Sequence, residues 1–463
     1  MPYRSISFAA VAVALLLGGC SSPRYVRPDV PVPPSYRGET VPRNSDAASN
    51  GPPASFGDLS WQEVIRDEDL SKLIREALAY NPDAQIAAAR VLEAQAQAAV
   101  SRSALFPSVD ALASYLNSRS DATDTSAISL TASLGWELDL WRKIRNTSAA
   151  ARAAVLASEQ ARRAVVQTLF SDVASNYFLL LDVDLELTIT RQARRLREDS
   201  LDLVRLRVDN GYSSGIELHQ AEVLAKSAQT ALTQLELESE QTENRLAILL
   251  GSNPGPIVRG RSLLEQDLVP RLPPGLPSTL LERRPDIRQA EEQLIGDHAL
   301  VAVAKAAFFP NISLTASGGF ASSALLNLFK VSSGTWVLGP AATLPIFHAG
   351  AIRAGVRGAE ARRQESLLNY QKTVQQAFRE VADALATSQK LAELRAQQEE
   401  LVEALRQGAD LADLAYKGGV DSYLEYLDSE RQLLDARLLL VQIRRRELTN
   451  VVALYCALGG GWR

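Results

Sequence analysis

The sequence predicts a mainly helical chain that is built as two copies of one unit and that carries a few strands of the membrane type. Three observations predict this fold class. Residues 81–109 match residues 284–312 at a constant offset of 203. Two long stretches are almost free of glycine and proline, and four short segments alternate between apolar and polar residues. Long uninterrupted stretches indicate helices, whereas alternation indicates strands with two different faces.

The first 20 residues have the features of a bacterial lipoprotein export signal. Arg4 precedes an apolar stretch from Ile6 to Leu17, which is too short to span a bilayer, and small residues then lead to Cys20. We expect residues 1–19 to be removed as a signal peptide and the Cys20 thiol to carry a diacylglyceryl group. An ordinary signal with a chance cysteine is the alternative. Residues 20–57 are rich in proline, serine and glycine, which predicts an extended tether.

The rest of the chain divides into a first repeat, residues 58–261, and a second repeat, residues 262–463. The offset between the repeats changes from 203 to 206 between the strands and to 208 just after them. The later pairs are Leu138 with Leu344, Leu140 with Ile346, Trp141 with Phe347, Arg145 with Arg353, Gly211 with Gly419, Glu217 with Glu425 and Gly251 with Gly459.

Each repeat should contain the same helices in the same order. The first begins at Pro82 or Pro285 and ends near a Phe-Pro pair, because proline favours the first turn and disfavours helix in the residue before it. After two strands, a long helix follows at Ile144 to Val208 and again at Ile352 to Tyr416, each roughly 96 Å long. A glycine-containing tip then reverses the chain into a second long helix. Such rods must bundle, because they have little else to pack against.

Four segments are predicted strands. Residues 128–138, 311–317 and 335–344 alternate clearly, and residues 108–117 alternate least clearly. In a soluble protein such alternation indicates a strand with one face on the core. Here the strands are few and about 10 residues long, as in membrane barrels, and no helix is apolar over a length that would span. The connections at 118–126 and 320–334 are predicted loops.

The ends of these strands carry tryptophans, Trp136 and Trp336, where a membrane barrel places its aromatic girdle. Four strands cannot close around water, and an open sheet edge is forbidden in lipid. Either the strands lie outside a membrane, or several chains share one barrel. Three chains would give twelve strands, and two would give eight, whose interior the side chains would fill.

Three strings give the chain a resemblance to a known family. They run from Leu276 to Glu291, from Tyr416 to Leu433 and from Ala457 to Trp462. These strings resemble the outer-membrane channel lipoproteins of resistance-nodulation-division (RND) efflux pumps, the NodT-type branch of the TolC-like superfamily. The resemblance implies a homotrimer in the outer membrane, in which a twelve-stranded β-barrel continues into a long α-helical barrel across the periplasm.

The function that the resemblance implies is passive conduction rather than chemistry. Drugs and small toxic compounds would pass from an inner-membrane RND transporter through a periplasmic adaptor (membrane fusion) protein into this channel. An outer-membrane channel for protein secretion of type I is the alternative within the family. A periplasmic scaffold of long hairpins is another alternative, but it would leave the strands without a role.

The resemblance also implies a gate at the periplasmic tips. Rings of Glu425 and Asp428 would surround the aperture, and Glu217 occupies the position of Glu425 in the first repeat. Asp421 and Tyr423 are weaker candidates for closing contacts. A solvated helix face is the alternative explanation of these acidic residues, and the match to the family's tip motif favours the gate. The tips expected to dock the adaptor contain Gly211, Gly418 and Gly419, which plain turns would also explain.

Composition argues against catalysis and nucleic-acid binding. The net charge is −5, and lysine and arginine are spread along the chain without a basic patch. Three histidines lie far apart, and Cys20 and Cys456 are the two cysteines, so no His/Cys metal or haem spacing exists. There is no nucleophile elbow or phosphate loop, and the Gly459–Gly461 run is a tail. We expect no catalytic residues, no cofactor, no metal and no nucleic-acid partner.

Overall fold

A computed structural model of the chain describes residues 25–37, 55–120, 123–266, 275 and 277–462. The predicted signal peptide and the lipidation site Cys20 lie outside these residues. So does the part of the predicted tether between residues 38 and 54.

Nine α-helices and four strands follow one another along the described chain. The first repeat contains α1 (Trp61–Val64), α2 (Glu68–Tyr80), α3 (Pro82–Ser103), β1 (Ser108–Ser120), β2 (Thr123–Leu138), α4 (Lys143–Asp209) and α5 (Gly215–Leu249). The second repeat contains α6 (Pro277–Arg283), α7 (Pro285–Ala306), β3 (Asn311–Ser322), β4 (Gly334–Thr343), α8 (Ala351–Lys417) and α9 (Tyr423–Ala457).

The two repeats have helices of equal length, which confirms the duplication. Helices α3 and α7 each have 22 residues, α4 and α8 each have 67, and α5 and α9 each have 35. The predicted starts at Pro82 and Pro285 are correct, and the long helices extend one residue beyond each predicted end. The absence of proline and the scarcity of glycine were therefore sufficient to locate these helices within the sequence.

The four strands form one antiparallel sheet in the order β1-β2-β3-β4. Its register places Trp136 opposite Leu314, and Leu314 opposite Pro340, so most apolar residues of the predicted strands share one face. On the other face Ser114 lies opposite Ser129, with their hydroxyl oxygens 2.7 Å apart. The register also assigns the faces of β1, whose own alternation is weak, because each β1 residue takes the face of its β2 partner.

The connection between β1 and β2 is shorter than predicted. The prediction of a loop over 118–126 is wrong, because Ser118 pairs with Thr125 and Ser120 pairs with Thr123 within the ladder. Residues 118–126 are mostly polar, so they show no alternation of apolar and polar residues that would indicate a strand. The backbone pairing nevertheless continues into this segment. The second connection is longer: β3 extends to Ser322, and two short 3-10 helices, Leu325–Asn327 and Val331–Ser333, precede β4.

The chain folds into two compact units, and neither coincides with a repeat. One unit, here called the sheet unit, contains the described residues of Met1–Val30, Ala89–Gln160 and Gln289–Thr373. The other, here called the helical unit, contains those of Pro31–Ala88, Ala161–Arg288 and Val374–Arg463. Each unit takes equivalent parts of both repeats. The repeat boundaries at 58–261 and 262–463 therefore describe the duplication, and as domain boundaries they stay a prediction.

Aromatic side chains form part of the core of the helical unit. Tyr455 of α9 is fully buried and meets Phe56 at a ring-centroid distance of 5.5 Å and Phe170 at 5.7 Å. Its hydroxyl donates to the Leu59 carbonyl at 2.7 Å. The chain end passes this ring so closely that a Cβ at Gly460 would lie 2.2 Å from it. The glycine-rich ending is thus a packed part of the core and needs the smallest residue.

A buried arginine explains part of the string between Leu276 and Glu291. Arg284 donates two hydrogen bonds to the Asp286 carboxylate, at 3.0 and 2.6 Å, and pairs with Glu380 at 2.7 Å. It also donates to the Ala457 carbonyl at 3.2 Å. One guanidinium therefore joins the start of α7, helix α8 and the end of α9. Removing this buried guanidinium would leave two carboxylates, each about one-third exposed, without their shared cation, and the Ala457 carbonyl without its side-chain donor.

One described helix, α4, contains a stretch long and apolar enough to cross a membrane by length and composition. Its best 18-residue window has a mean hydropathy of 1.3, and 44% of that window is buried inside the chain. The expectation that no helix has such a stretch is therefore wrong. Buried core helices pass the same test, and α4 supplies Phe170 and the fully buried Tyr177 to the helical unit. Composition alone does not make it a span.

The described start of the predicted tether is docked rather than free. Arg27 forms an ion pair with Glu291 of α7 at 2.7 Å, and Tyr25 meets the ring of His298 edge-on at 5.9 Å. Further along, Tyr36 is buried against Phe378 of α8 at 6.4 Å. Composition predicted an extended segment, but it could not reveal these side-chain contacts with distant helices.

Candidate functional site

The two helix tips reverse the chain by the same backbone motif. In the first repeat Gly211 has a φ of 75°, and the Tyr212 N–H donates to the Arg207 carbonyl at 2.8 Å. In the second repeat Gly419 has a φ of 71°, and the Val420 N–H donates to the Ala415 carbonyl at 2.9 Å. This is the Schellman cap, which requires a left-handed residue. Two of the three predicted tip glycines are thus turn residues, whereas Gly418 does not have a positive φ.

The candidate gate residue Glu425 lies in the first turn of α9. The hydroxyl of Ser422 accepts a hydrogen bond from the Glu425 N–H at 3.3 Å, and Ser214 caps Glu217 of α5 in the same way at 3.3 Å. Both carboxylates are therefore third residues of capped helices, where the helix dipole favours negative charge. The Glu425 side chain is exposed and has no ion-pair partner among the described residues.

Asp428, the second candidate gate residue, is engaged by its own helix. Its carboxylate pairs with Arg431 at 2.7 Å and accepts a hydrogen bond from Gln432. Hydrogen bonding by Arg431 and then by Gln432 holds the pKa of Asp428 below its ordinary value. Asp428 therefore stays charged in mild acid, but Arg431 compensates part of that charge. The weaker candidate Asp421 is exposed at the chain reversal.

Tyr423, the other weaker candidate, is buried inside a cluster that joins the two hairpins of one chain. Its ring lies 5.1 Å from Tyr416 and 6.0 Å from Tyr426, and its hydroxyl is 3.0 Å from that of Ser200 in α4. Burial raises the pKa of Tyr423. The remaining buried members of the cluster are Leu201, Val204, Ala221 and Ala225. Tyr423 thus joins a first-repeat helix to a second-repeat helix of the same chain, and its role in closing the aperture stays a prediction.

The tips also expose apolar side chains that pattern analysis missed. Four aligned pairs, all at the offset of 208, are exposed in both repeats. The pairs are Leu203 with Leu411, Leu206 with Leu414, Tyr212 with Val420, and Ile216 with Leu424. Tyr212 and Val420 are each 84% exposed. The sequence signal for these residues was that apolar side chains recur at equivalent positions near both tips. The structure leaves them exposed in both repeats, whereas an internal core would have covered them.

The two predicted girdle tryptophans lie on the same face of the sheet. Trp336 is 80% exposed, whereas Trp136 is half-buried and donates from its indole nitrogen to the Leu105 carbonyl at 3.1 Å. Trp336 pairs with Gly318, four residues along β3 from the Leu314 partner of Trp136. The two rings are therefore about 13 Å apart along the strands. That is less than the height of the apolar band of a membrane barrel, about 25 Å.

A second aromatic lies farther from Trp136 on the apolar face. Tyr115, which is 65% exposed, pairs with Ile128. That partner is eight residues along β2 from Trp136, or about 27 Å. A strand tilt of about 40° reduces this separation to about 20 Å in height, close to that of the apolar band. Trp136 and Tyr115 thus bracket the apolar face better than the two tryptophans do, and the girdle assignment of Trp336 stays a prediction.

The opposite face of the sheet carries mostly small polar groups, among which Leu112, Leu116 and Val337 also lie. In addition to Ser114 and Ser129, Thr315 donates to the Gly339 carbonyl at 3.2 Å. Asp110 and Glu137 supply the charges of this face in the described strands, and Glu137 pairs with Lys143 at 3.1 Å. A hydroxyl-lined surface of this kind is suited to contact with water, whereas the exposed apolar face is suited to contact with lipid.

Known proteins share this sequence and fold over almost the full chain. The sequence profile described as "Outer membrane efflux protein" matches residues 73–252 and 276–460. "Cation efflux system protein CusC" of Escherichia coli O6:H1 is 36% identical over 458 residues, which is 97% of this chain and 98% of that protein. "Antibiotic efflux pump outer membrane protein ArpC" of Pseudomonas putida is 35% identical over 471 residues, 98% of this chain and 96% of that protein.

Solved structures agree with these relatives. A crystal structure of CusC aligns with a TM-score of 0.83 at 34% identity, covering 95% of this chain and all of that one. The open state of the MtrE outer membrane channel of Neisseria gonorrhoeae aligns with a TM-score of 0.85 at 31% identity, covering 96% and 99% of the two chains. These matches confirm the TolC-like fold.

The tyrosine cluster allows a matched comparison of two hydroxyl groups. The Tyr416 hydroxyl is buried and has no hydrogen-bond partner among the described residues, whereas the Tyr423 hydroxyl bonds to Ser200. Tyr423→Phe should therefore lower the free energy of unfolding by about 0.5–1.5 kcal/mol, and Tyr416→Phe should be neutral or stabilising. Thermal unfolding of the purified protein in detergent measures both. Equal losses in the two variants would contradict this account of the cluster.

Proposed function

The chain belongs to the outer membrane efflux protein family and is an outer-membrane channel of an efflux pump, and from this premise we propose that three copies form one passive exit duct. One observation carries the proposal. The sheet has an exposed apolar face, a polar face and two edges that no described strand covers. Such a sheet is incomplete in lipid until other copies pair with its edges.

The number of copies follows from the width of a barrel. Four strands from each chain give eight strands for two copies and twelve for three. Side chains fill the interior of an eight-stranded barrel, whereas a wider barrel leaves space for water and solutes. Three copies would place the hydroxyl-lined face inward and the apolar face against outer-membrane lipid. The long helices α4, α5, α8 and α9 would continue the duct across the periplasm.

We assign the driving force to other proteins. An inner-membrane RND transporter would capture and drive the substrate, and a periplasmic adaptor would connect that transporter to the tips of this channel. The exposed apolar pairs at both tips support a docking role, because isolated solvated turns have no need of them. The cargo would be drugs and small toxic compounds. Relatives are named for antibiotic, solvent and cation efflux, and these names favour efflux over protein secretion.

Acidic side chains at the tips would form the gate. Three copies of Glu425, Asp428 and Glu217 around one axis would attract cations and repel one another, so that opening would relieve the repulsion. Because Arg431 compensates Asp428 on its own helix, Glu425 would contribute the larger part of the field. Tyr423 would act indirectly, since it joins the two hairpins that must separate or rotate as the aperture widens.

Conductance in a planar bilayer tests the duct and the gate together. Glu425→Ala should reduce cation selectivity and enlarge the openings more than Asp428→Ala does, and the double variant should show the largest change. Glu403→Ala is the matched control, because it removes an exposed acid of α8 that already pairs with Arg406 at 2.8 Å. The mass of the particle should be measured in the same detergent.

Three results would separate the parts of this proposal. A trimer whose double variant conducts like the wild type would refute the gate and leave the duct. A trimer without conductance would refute the duct. A single chain in detergent without conductance would refute the shared barrel.

A lipid on Cys20 would anchor the chain beside the sheet unit. Tyr25 follows Cys20 by five positions in the chain, so their Cα atoms are at most about 18 Å apart. Tyr25 and Arg27 are held by His298 and Glu291 of α7, the helix that leads into β3. The docked segment would therefore keep acyl chains close to the membrane level of the strands, whereas a free tether would not.

Intact-mass spectrometry tests the anchor. The wild-type protein should begin at Cys20 and carry the added mass of the acyl chains. Cys20→Ala should abolish that modification and leave the precursor uncleaved at residue 19. The trimer should persist in this variant, because the barrel would hold it in the membrane. Cleavage at another bond, with no added mass, would contradict lipidation.

A further inference from the structure

Within one chain, the end of β2 is fixed to the start of β3 by an aromatic stack. The Trp141 ring lies 4.8 Å from the Phe309 ring at an angle of 22°. Its indole N–H also donates to the Pro310 carbonyl at 2.7 Å. The stack lies at the end of the β2–β3 ladder, next to the pair of Leu138 and Ile312. It therefore joins two neighbouring strands below the point where their backbone pairing stops.

The duplication repeats both partners of this stack, but it leaves them apart. Phe106 is the equivalent of Phe309, and Phe347 is the equivalent of Trp141. Phe106 is 62% exposed and Phe347 is 84% exposed, and neither ring has a stacking partner among the described residues. They flank β1 and β4, the two edges of the sheet. Three strand spacings, about 14 Å, separate these edges.

We infer that Phe347 of one copy stacks on Phe106 of the next copy, and that β4 pairs with β1 across this seam in the register of β2 with β3. This inference rests on the proposed function, because it assumes that copies share one sheet. The occupant of each edge is a second copy of this chain. The seam would reproduce a contact that the chain already makes within itself.

The register follows from the two offsets. The pairs Leu138 with Ile312 and Trp136 with Leu314 occur within the chain. Applying the offsets of 206 and 203 places Leu344 of one copy opposite Val109 of the next, Ala342 opposite Ala111, and Pro340 opposite Ala113. This register joins the apolar face of β4 to the apolar face of β1, as a shared barrel requires. A slip of one residue would join an apolar face to a polar one.

The seam stack differs from the internal stack in one bond. Phe347 has no N–H to donate, so the seam would lack the hydrogen bond that Trp141 gives to Pro310. The seam stack is therefore expected to be weaker than the internal one. Because the internal stack is the stronger of the two, each chain would form its own hairpins first, and the copies would pair afterwards.

Cysteine pairs test the register with alanine positions alone. Under oxidation, Ala111→Cys with Ala342→Cys should form disulfide-linked dimers and trimers. The yield should be at least about tenfold above that of Ala111→Cys with Ala341→Cys, because a disulfide needs Cβ atoms within about 4.5 Å and Ala341 faces the other side. Ala113→Cys with Ala342→Cys reports a slip of two residues. The single-cysteine variants give the background from Cys456.

A double-mutant cycle tests the ring contact. Phe106→Ala and Phe347→Ala should each lower the temperature at which the trimer dissociates, and the double variant should dissociate at about the temperature of the worse single variant. Ile346→Ala is the control, because Ile346 is 92% exposed and is not part of the stack. Additive shifts from the two phenylalanines would overturn the stacking.

The outcomes separate this seam from the proposed function. Preferred linking of the 113 and 342 pair, or an intact trimer in which none of the pairs links, would overturn the register and leave the shared barrel. A particle mass of one chain would overturn both. Linking of the 111 and 342 pair, together with non-additive phenylalanine effects, would support the seam.

Discussion

The unpaired edges of a four-stranded sheet are the constraint on which the rest of the molecule depends. Each edge exposes backbone N–H and C=O groups, and one face of the sheet exposes apolar side chains. Lipid accommodates the apolar face but offers no hydrogen bonds to the edge groups, so the edges are stable in lipid only when another strand completes the ladder. A chain with this sheet would therefore form one part of a larger barrel, as proposed above.

Because of the duplication, the two repeats of one chain would occupy nearly equivalent positions around that barrel. The repeats differ, however, at the tips where the gate is proposed. The tips share their caps and their exposed apolar pairs. The second repeat has Asp428 where the first has Gln220, and it also contributes the buried Tyr423, which contacts Ser200 of the first. The gate would therefore be unequal between the two hairpins. The second hairpin carries more of the negative charge, and its tyrosines hold the first hairpin in place.

Much of the fold was predictable because it depends on local sequence. Pro82 and Pro285 mark helix starts, and the proline-free, glycine-poor stretches mark the long helices to within one residue at each end. The faces of β1 required the register, because the strand has little alternation of its own. The docking of Arg27 on Glu291 depends on a helix more than 260 residues away. The site was partly predictable: the spacing of Asp428 and Arg431 is a helical ion-pair spacing that the sequence already contains. The burial of Tyr423 depends on a neighbouring hairpin and could not be predicted from the sequence.

Hydrogen exchange of the sheet amides in the assembled channel tests the central claim most directly. If other copies complete the ladder, amides along β1 and β4 should exchange as slowly as those of β2 and β3. If the edges are free, the outward-facing amides of β1 and β4 should exchange many-fold faster while β2 and β3 stay protected. That second result would contradict a barrel shared between copies.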